Sequence, residues 1–279
     1  MRHFIIRTGA LGDFILTLPL LKVLSEDAAV TLVCRRDYLA LLPELAHPVE
    51  WISPDDCWSL YADKVENKLA SHLEGKCFHI YGHRDAALGR RVLSAGAASV
   101  VFHDPRPTEP PSAARRMFLE AGLEPPADLE VTPVMPRHCS PMQGSLWIHA
   151  GSGSPSKNLP PEYWAQRVRA AFPEKLPPIV VSFGECDLGL REDFSKAFEG
   201  IPYTEATDMS LAQLRLRLEQ EAAEFWGADT GVTHLAAALG IPVTAVFVST
   251  LPDVWRPCGV CRIENYASFL PFPTGNIPT

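Results

Sequence analysis

No run of apolar residues in this 279-residue chain approaches the roughly 18 that a membrane-spanning helix requires. Residues 1–21, MRHFIIRTGALGDFILTLPLL, come nearest, but Arg7 and Asp13 interrupt them and no convincing signal-cleavage pattern follows. They read as strand, loop and helix. Excess positive charge is also lacking. With 25 Lys and Arg against 33 Asp and Glu, the formal charge is −8, which argues against a uniformly basic nucleic-acid binder. Other signatures are incomplete. Cys258-Gly-Val-Cys261 has no second pair downstream, so a four-ligand zinc site lacks half its ligands. The seven scattered cysteines fit free thiols in a reducing compartment, and this pair reads as loop thiols. Gly9 and Gly12 form G-x-x-G rather than the dinucleotide G-x-G-x-x-G, and Lys157 is not followed by the Ser or Thr of a P-loop. The candidate loops hold no Asp-x-Asp pair for a divalent metal; Asp55 and Asp56 are adjacent and lie outside them.

Present instead is an alternation of short apolar runs with helical patterns, and 47% hydrophobic residues to bury between them. Strands are expected at 2–7, 30–34, 49–52, 77–81 and 98–102, with helices at 13–25, 36–46, 58–73 and 84–95. From about 104 to 143 the composition turns proline-rich around a single helix near 112–121, and the domain boundary is placed there. The alternation restarts with strands at 145–150, 178–183, 223–227 and 242–248 and helices at 161–172, 187–198 and 210–220; the Pro-rich tail 270–279 reads as irregular. Two βαβ series predict an α/β protein with two Rossmann-like parallel-sheet domains, 1–140 and 141–279, facing across a cleft that is the default ligand site.

The loops at the expected carboxyl ends of strands carry the chemistry. After the first strand comes Thr8-Gly9-Ala10-Leu11-Gly12-Asp13. Its glycines permit close approach to backbone. Asp13 is either an N-cap or a carboxylate able to take a proton from a substrate hydroxyl. In the second half, Gly151-Ser152-Gly153-Ser154-Pro155-Ser156-Lys157-Asn158 offers backbone N–H groups, hydroxyls and a cation, either as a phosphate cradle or as a flexible loop. Glu185 follows the next strand and suits ribose hydroxyls or a surface position. Asp229-Thr230-Gly231 opens a small-residue helix whose free N–H groups and dipole favour an anion, with His234 on its first turn; Asp229 or Thr230 could equally be its cap. Arg84, Arg90, Arg91, Arg106, Arg115 and Arg116 in the first half could meet phosphates of a ligand, but read more simply as solvated helix-face residues.

Three segments, LGDFILTLPLLKVL, GSGSPSKNLPPEYWA and DTGVTHLAAALGIPVTAVFVST, together resemble glycosyltransferase family 9, the ADP-heptose:lipopolysaccharide heptosyltransferases and their relatives. The resemblance spans residues 1–24, 146–165 and 225–256. It implies a GT-B architecture, with acceptor bound mostly by the first domain and nucleotide-sugar by the second, and an inverting, metal-independent transfer. By position, Asp13 is similar to the catalytic base, within the acceptor-side loop of Thr8, Gly9 and Gly12. Ser152, Ser154 and Lys157, with Gly153 between the serines, are similar to donor-phosphate binders, and Glu185 to the ribose-binding acid. Asp229 would contact the transferred sugar, Thr230 and Gly231 would offer N–H groups to the diphosphate, and His234 would lie near the phosphates. The family implies no cofactor, since the ADP-linked sugar is a substrate. It implies a glycan or glycolipid acceptor of the lipopolysaccharide type, no nucleic-acid partner, and a cytoplasmic protein with at most peripheral contact at the inner face of the bacterial inner membrane. A sugar-nucleotide epimerase of GT-B-like fold and a non-catalytic nucleotide-sugar-binding protein are the alternatives.

Overall fold

The computed structural model describes residues 1–62, 64–137, 141 and 144–266. The tail at 270–279 and most of the segment around the expected boundary at 140–141 lie outside the described residues. The first half runs β1 (Arg2–Ile6), α1 (Leu11–Leu24), β2 (Val30–Val33), β3 (Val49–Ile52), α2 (Asn67–Leu73), β4 (Lys76–Tyr81), α3 (Ala86–Ser94), β5 (Ser99–His103) and α4 (Ala113–Glu120). Its five strands are parallel in the order β3-β2-β1-β4-β5. The second half runs β6 (Ser145–His149), α5 (Pro161–Ala171), β7 (Ile179–Ser182), α6 (Arg191–Ala197), β8 (Thr204–Ala206), α7 (Leu211–Glu221), β9 (Ala222–Ala228), α8 (Gly231–Ala238), β10 (Val243–Phe247), α9 (Pro252–Trp255) and β11 (Cys261–Asn265). These strands form a second parallel sheet, ordered β11-β10-β9-β6-β7-β8. Both sheets reverse strand order beside their first strand, which opens a crevice at the carboxyl ends.

Alternate residues of β1 serve opposite faces, as the two-residue period requires. Phe4 and Ile6 enter a core with Phe78, Leu88 and Val92, while Ile5 enters another with Phe14, Leu18 and Leu21 of α1. That second core does not stop at the domain: it continues through Leu235 and Leu239 to Trp147 and Phe225 of the other sheet. Each fully buried side chain of this size contributes about 1.5–3 kcal/mol, so the two halves are joined by a shared apolar interior. The join is closest where α1 meets α8. A Cβ on Gly231 would stand 2.6 Å from Leu11 Cβ, and one on Gly12 would stand 3.1 Å from the His234 ring. Glycine at both positions is what lets the two helix starts touch.

Several elements depart from the sequence expectation. The helix expected over 36–46 is a 3₁₀ turn over Arg36–Leu41, because Pro43 biases Leu42 to extended backbone (ψ 137°). The helix expected over 58–73 divides into a 3₁₀ segment, Pro54–Tyr61, and α2; Ala62 is extended, and the Glu66 N–H turns to the Ser59 hydroxyl instead of a helical carbonyl. Cys261, expected in a loop, begins β11, whose Cys261 and Ile263 pack inward while Glu264 is held by Arg167 through bonds of 2.6 and 2.9 Å. Cys258 and Cys261 are free, and burial raises both thiols to about 12. Asp13 is not an N-cap. Ala10 occupies that position and Asp13 lies in the first turn of α1.

Candidate active site

The loops after β1, β6, β7 and β9 meet around the contact between α1 and α8. On the first-domain side, Asp13 is about a quarter exposed (26%), and its carboxylate lies 3.5 Å from the Arg7 guanidinium. Arg7 is buried, donates twice to the Asp13 carbonyl at 3.2 Å, and lies 4.2 Å over the Tyr81 ring. Burial lowers Arg7 from its usual value against the pull of Asp13. Arg7 therefore fixes the turn and leaves much of the Asp13 carboxylate facing outward. Gly9 accepts from the Tyr38 hydroxyl at 3.0 Å through its carbonyl, and a Cβ there would stand 3.1 Å from Asp13 Oδ2. Thr8 is exposed at the mouth of the same loop.

On the second-domain side, Asp229 is buried at the end of β9 with both oxygens engaged. Oδ2 accepts from Lys157 Nζ at 2.7 Å and from the Thr250 hydroxyl at 2.6 Å, and Oδ1 lies 3.3 Å from His234 Nε2. Burial opposes its ionisation, but the hydrogen bonds from His234, Lys157 and Thr250 outweigh burial and hold the carboxyl well below the usual carboxylate range. Lys157 is thus anchored, not a solvated loop lysine, though its side chain stays 29% exposed. The capping alternative applies to Thr230: its hydroxyl accepts from the Thr233 N–H, and Thr233 in turn donates to the Ala228 carbonyl at 2.6 Å. Gly231 is the first residue of α8, so its N–H is one of the helix's free donors. His234 is buried, and its Nδ1 has no partner among the described residues.

The Ser/Gly loop is organised by Ser152. Its hydroxyl lies 2.6 Å from the Ser154 carbonyl and 2.8 Å from Asn158 Oδ1, and it receives the Ser154 N–H at 3.2 Å. Ser154 and Ser156 share a hydroxyl contact at 3.0 Å nearer the surface, and Gly153 is exposed. Glu185 is exposed on the rim of a cavity of about 470 Å³ that reaches from Leu11, Arg35 and Tyr38 of the first half to Gly153, Glu185 and Val232 of the second. That volume falls within the usual range for small-molecule sites. A larger cavity, about 890 Å³, is lined by Lys64, Arg90 and Arg91 beside α2 and α3 and contains none of these loop residues. Three of the six first-half arginines expected to be solvated have structural partners: Arg91 donates to the Leu60 carbonyl, Arg115 to Glu130, and Arg116 to the Glu109 carbonyl.

Sequence reasoning missed Arg7, Thr250 and a buried pair on the cavity wall. His149 lies 3.0 Å from the Ser182 hydroxyl and 3.4 Å from Asp187, and burial lowers it from the usual imidazole value against the pull of Asp187. Asp187 receives the Gly184 N–H at 3.2 Å, and a Cβ on Gly151 would collide with its carboxylate. An ionisable residue closing an otherwise apolar strand was the available signal, in both Arg7 and His149.

Residues 136–267 match the model of glycosyltransferase family 9 (heptosyltransferase). No curated protein matches the chain. Among solved structures, the glycosyl transferase family 9 protein of Veillonella parvula DSM 2008 is similar at 16% identity, over 96% of this chain and 86% of that one, with a TM-score of 0.71. The E. coli ADP-heptose LPS heptosyltransferase II is similar at 15% identity, over 96% and 93% of the two chains, with a TM-score of 0.64. The E. coli heptosyltransferase WaaC with ADP is similar at 18% identity, over 95% and 93%, with a TM-score of 0.62. The fold is GT-B: two parallel-sheet α/β domains joined at a cleft.

Proposed function

We propose that this chain, a member of glycosyltransferase family 9 through residues 136–267, transfers a heptose from an ADP-linked donor to a lipopolysaccharide-type glycan with inversion and without a metal. One observation carries the reading most: the outward-facing Asp13 carboxylate and the anion-suited start of α8 are held together by the contact of Gly12 with Gly231 and His234.

In the proposed reaction the acceptor hydroxyl attacks the anomeric carbon from the face opposite the diphosphate. The new C–O bond forms as the bond to the phosphate oxygen breaks. The hydroxyl proton passes to Asp13, and the nucleoside diphosphate leaves with the electron pair. General-base help of this kind is worth about 10²–10⁴-fold. Charge developing on the diphosphate would meet the free N–H groups at Gly231 and the dipole of α8, the exposed part of the Lys157 ammonium, and the Ser154 loop that Ser152 holds in shape. The pairing of Asp229 with Lys157 supports a role in orienting the lysine beside the transferred sugar. Glu185, on the cavity rim, suits the ribose hydroxyls. Metal independence is supported by Asp229, whose two oxygens already face protein donors, and by a loop set without Asp-x-Asp. No helix among the described residues is long and apolar enough to cross a membrane, so contact with a glycolipid acceptor would be peripheral.

A thermal-shift panel of ADP, UDP and GDP tests the donor assignment. ADP should raise the melting temperature most; a larger shift with UDP or GDP overturns the adenine assignment, and no shift with any of them overturns the site. With ADP-heptose and a lipopolysaccharide core acceptor, turnover should persist in EDTA, whereas activity lost in EDTA and restored by Mg²⁺ or Mn²⁺ contradicts metal independence.

A further inference from the structure

The opposite end of the first sheet carries a polar cluster that sugar transfer does not use. His3 on β1 is the register partner of Cys77 on β4, and His79 follows two residues later on the same face. The donor atoms of His3, Cys77 and His79 all lie within 4.8 Å of one another. Cys77 and His79 are buried; His3 is half-buried at the start of its strand and gives a path from solvent. The transfer loops leave the carboxyl ends of the strands, so this cluster lies at the other edge.

A hydrogen-bonded chain behind the cluster sets its polarity. His3 Nδ1 lies 3.0 Å from His79 Nε2, His79 Nδ1 lies 3.0 Å from His103 Nε2, and His103 Nδ1 lies 3.1 Å from Glu120 Oε2. Glu120 also receives the Asp104 N–H at 3.2 and 3.3 Å. A carboxylate only accepts, so His103 donates from Nδ1, and in the neutral ring its Nε2 is the acceptor. His79 then donates from Nδ1, so its Nε2 is the acceptor of the pair and faces the His3 Nδ1 donor.

We propose that His3 Nδ1, Cys77 Sγ and His79 Nε2 form a three-ligand site for a zinc-class divalent ion, with His103 and Glu120 as the outer-shell relay that orients His79. Two imidazoles and a thiolate suit a borderline-soft ion and disfavour Mg²⁺ or Ca²⁺. Tetrahedral coordination with Zn–N bonds of about 2.0–2.1 Å puts the two nitrogens about 3.3 Å apart, so the rings need to part by only a few tenths of an ångström from their 3.0 Å separation. Binding releases the Cys77 thiol proton to solvent, moves the His3 proton to Nε2 and leaves a fourth position for water. The site is separate from the transfer chemistry and is compatible with turnover in EDTA.

The test is a Co²⁺ titration of the full chain, stripped of metal and kept reduced. One equivalent should produce a thiolate-to-cobalt band in the near ultraviolet and strong visible bands of tetrahedral cobalt, both removed by Zn²⁺. His3→Ala, at a half-buried strand start, and Cys77→Ser should lose the bands, whereas the Cys258→Ser/Cys261→Ser double variant should keep them. Glu120→Gln should weaken binding about 10–100-fold, as outer-shell changes do. The proposal is overturned if the wild type gives no thiolate band at stoichiometric Co²⁺, or if the band survives His3→Ala and disappears with the Cys258/Cys261 variant.

Discussion

Asp13 and Asp229 occupy related places in the two halves: each stands where a central strand, β1 or β9, hands over to a helix, Asp13 in the first turn of α1 and Asp229 just before the Thr230 cap of α8. Their surroundings differ. Asp229 is buried and surrounded by Lys157, Thr250 and His234, which keep it ionised. Asp13 is a quarter exposed and has one guanidinium at 3.5 Å. A carboxylate whose lone pairs are already occupied is suited to holding neighbours in place. One with free lone pairs at a cleft can receive a proton. Equivalent topology has produced an anchor in one domain and a candidate base in the other, and the difference comes from the second-domain loops that fold over Asp229.

Changes on the anchored side should break the comparison through stability and donor binding. Asp229→Asn removes the charge that Lys157 and His234 face in a buried setting and should cost about 2–3 kcal/mol in urea unfolding; a loss below ~0.5 kcal/mol would mean the pairing is unimportant. The same variant should also alter the acid limb. Because the folded Asp229 carboxyl is held below the ordinary value of about 3.9, its contribution is complete above about pH 4 and is lost as pH falls through the folded value. Wild-type stability should therefore fall on acidification below pH ~4 more steeply than that of the variant. Lys157→Ala should weaken nucleoside diphosphate binding about 10–100-fold by calorimetry, the loss of one charge-assisted hydrogen bond, and unchanged affinity would remove Lys157 from the cradle. Gly231→Ala, which sets a methyl against Leu11, should cost about 1–3 kcal/mol by overpacking; an unchanged melting temperature would show that the α1–α8 contact can open freely. Thr250→Val should have the smallest effect, about 1 kcal/mol for one hydrogen bond, measured against the wild type in the same denaturant series.

The sheet strands were legible because both halves repeat a simple rule: short β-branched and apolar runs separated by helical patterns. Elements that break the rule were not. Thr204–Ala206 is three residues long with one buried side chain, and Cys261–Asn265 has only two apolar positions, Cys261 and Ile263, among Arg262, Glu264 and Asn265. The stops at Leu42 and Ala62 are local backbone effects inside otherwise helical periodicity. For the candidate site, strand-end position identified Asp13, Lys157, Glu185 and Asp229, since the topology gathers such loops. It could not show that Lys157 and Asp229 pair across 72 residues, or that Arg7 bends back beneath Asp13. Nor could it identify Thr250, a single hydroxyl after β10 that becomes informative only once its partner is in view.

The central claim is that Asp13 serves the acceptor hydroxyl while the donor is held by the opposite domain. Asp13→Asn separates the two functions when donor affinity by calorimetry and single-turnover transfer are measured on the same preparation. The account predicts donor affinity within about twofold of wild type and transfer slower by about 10²–10⁴-fold. Near wild-type transfer, or a loss explained entirely by weaker donor binding, would contradict it.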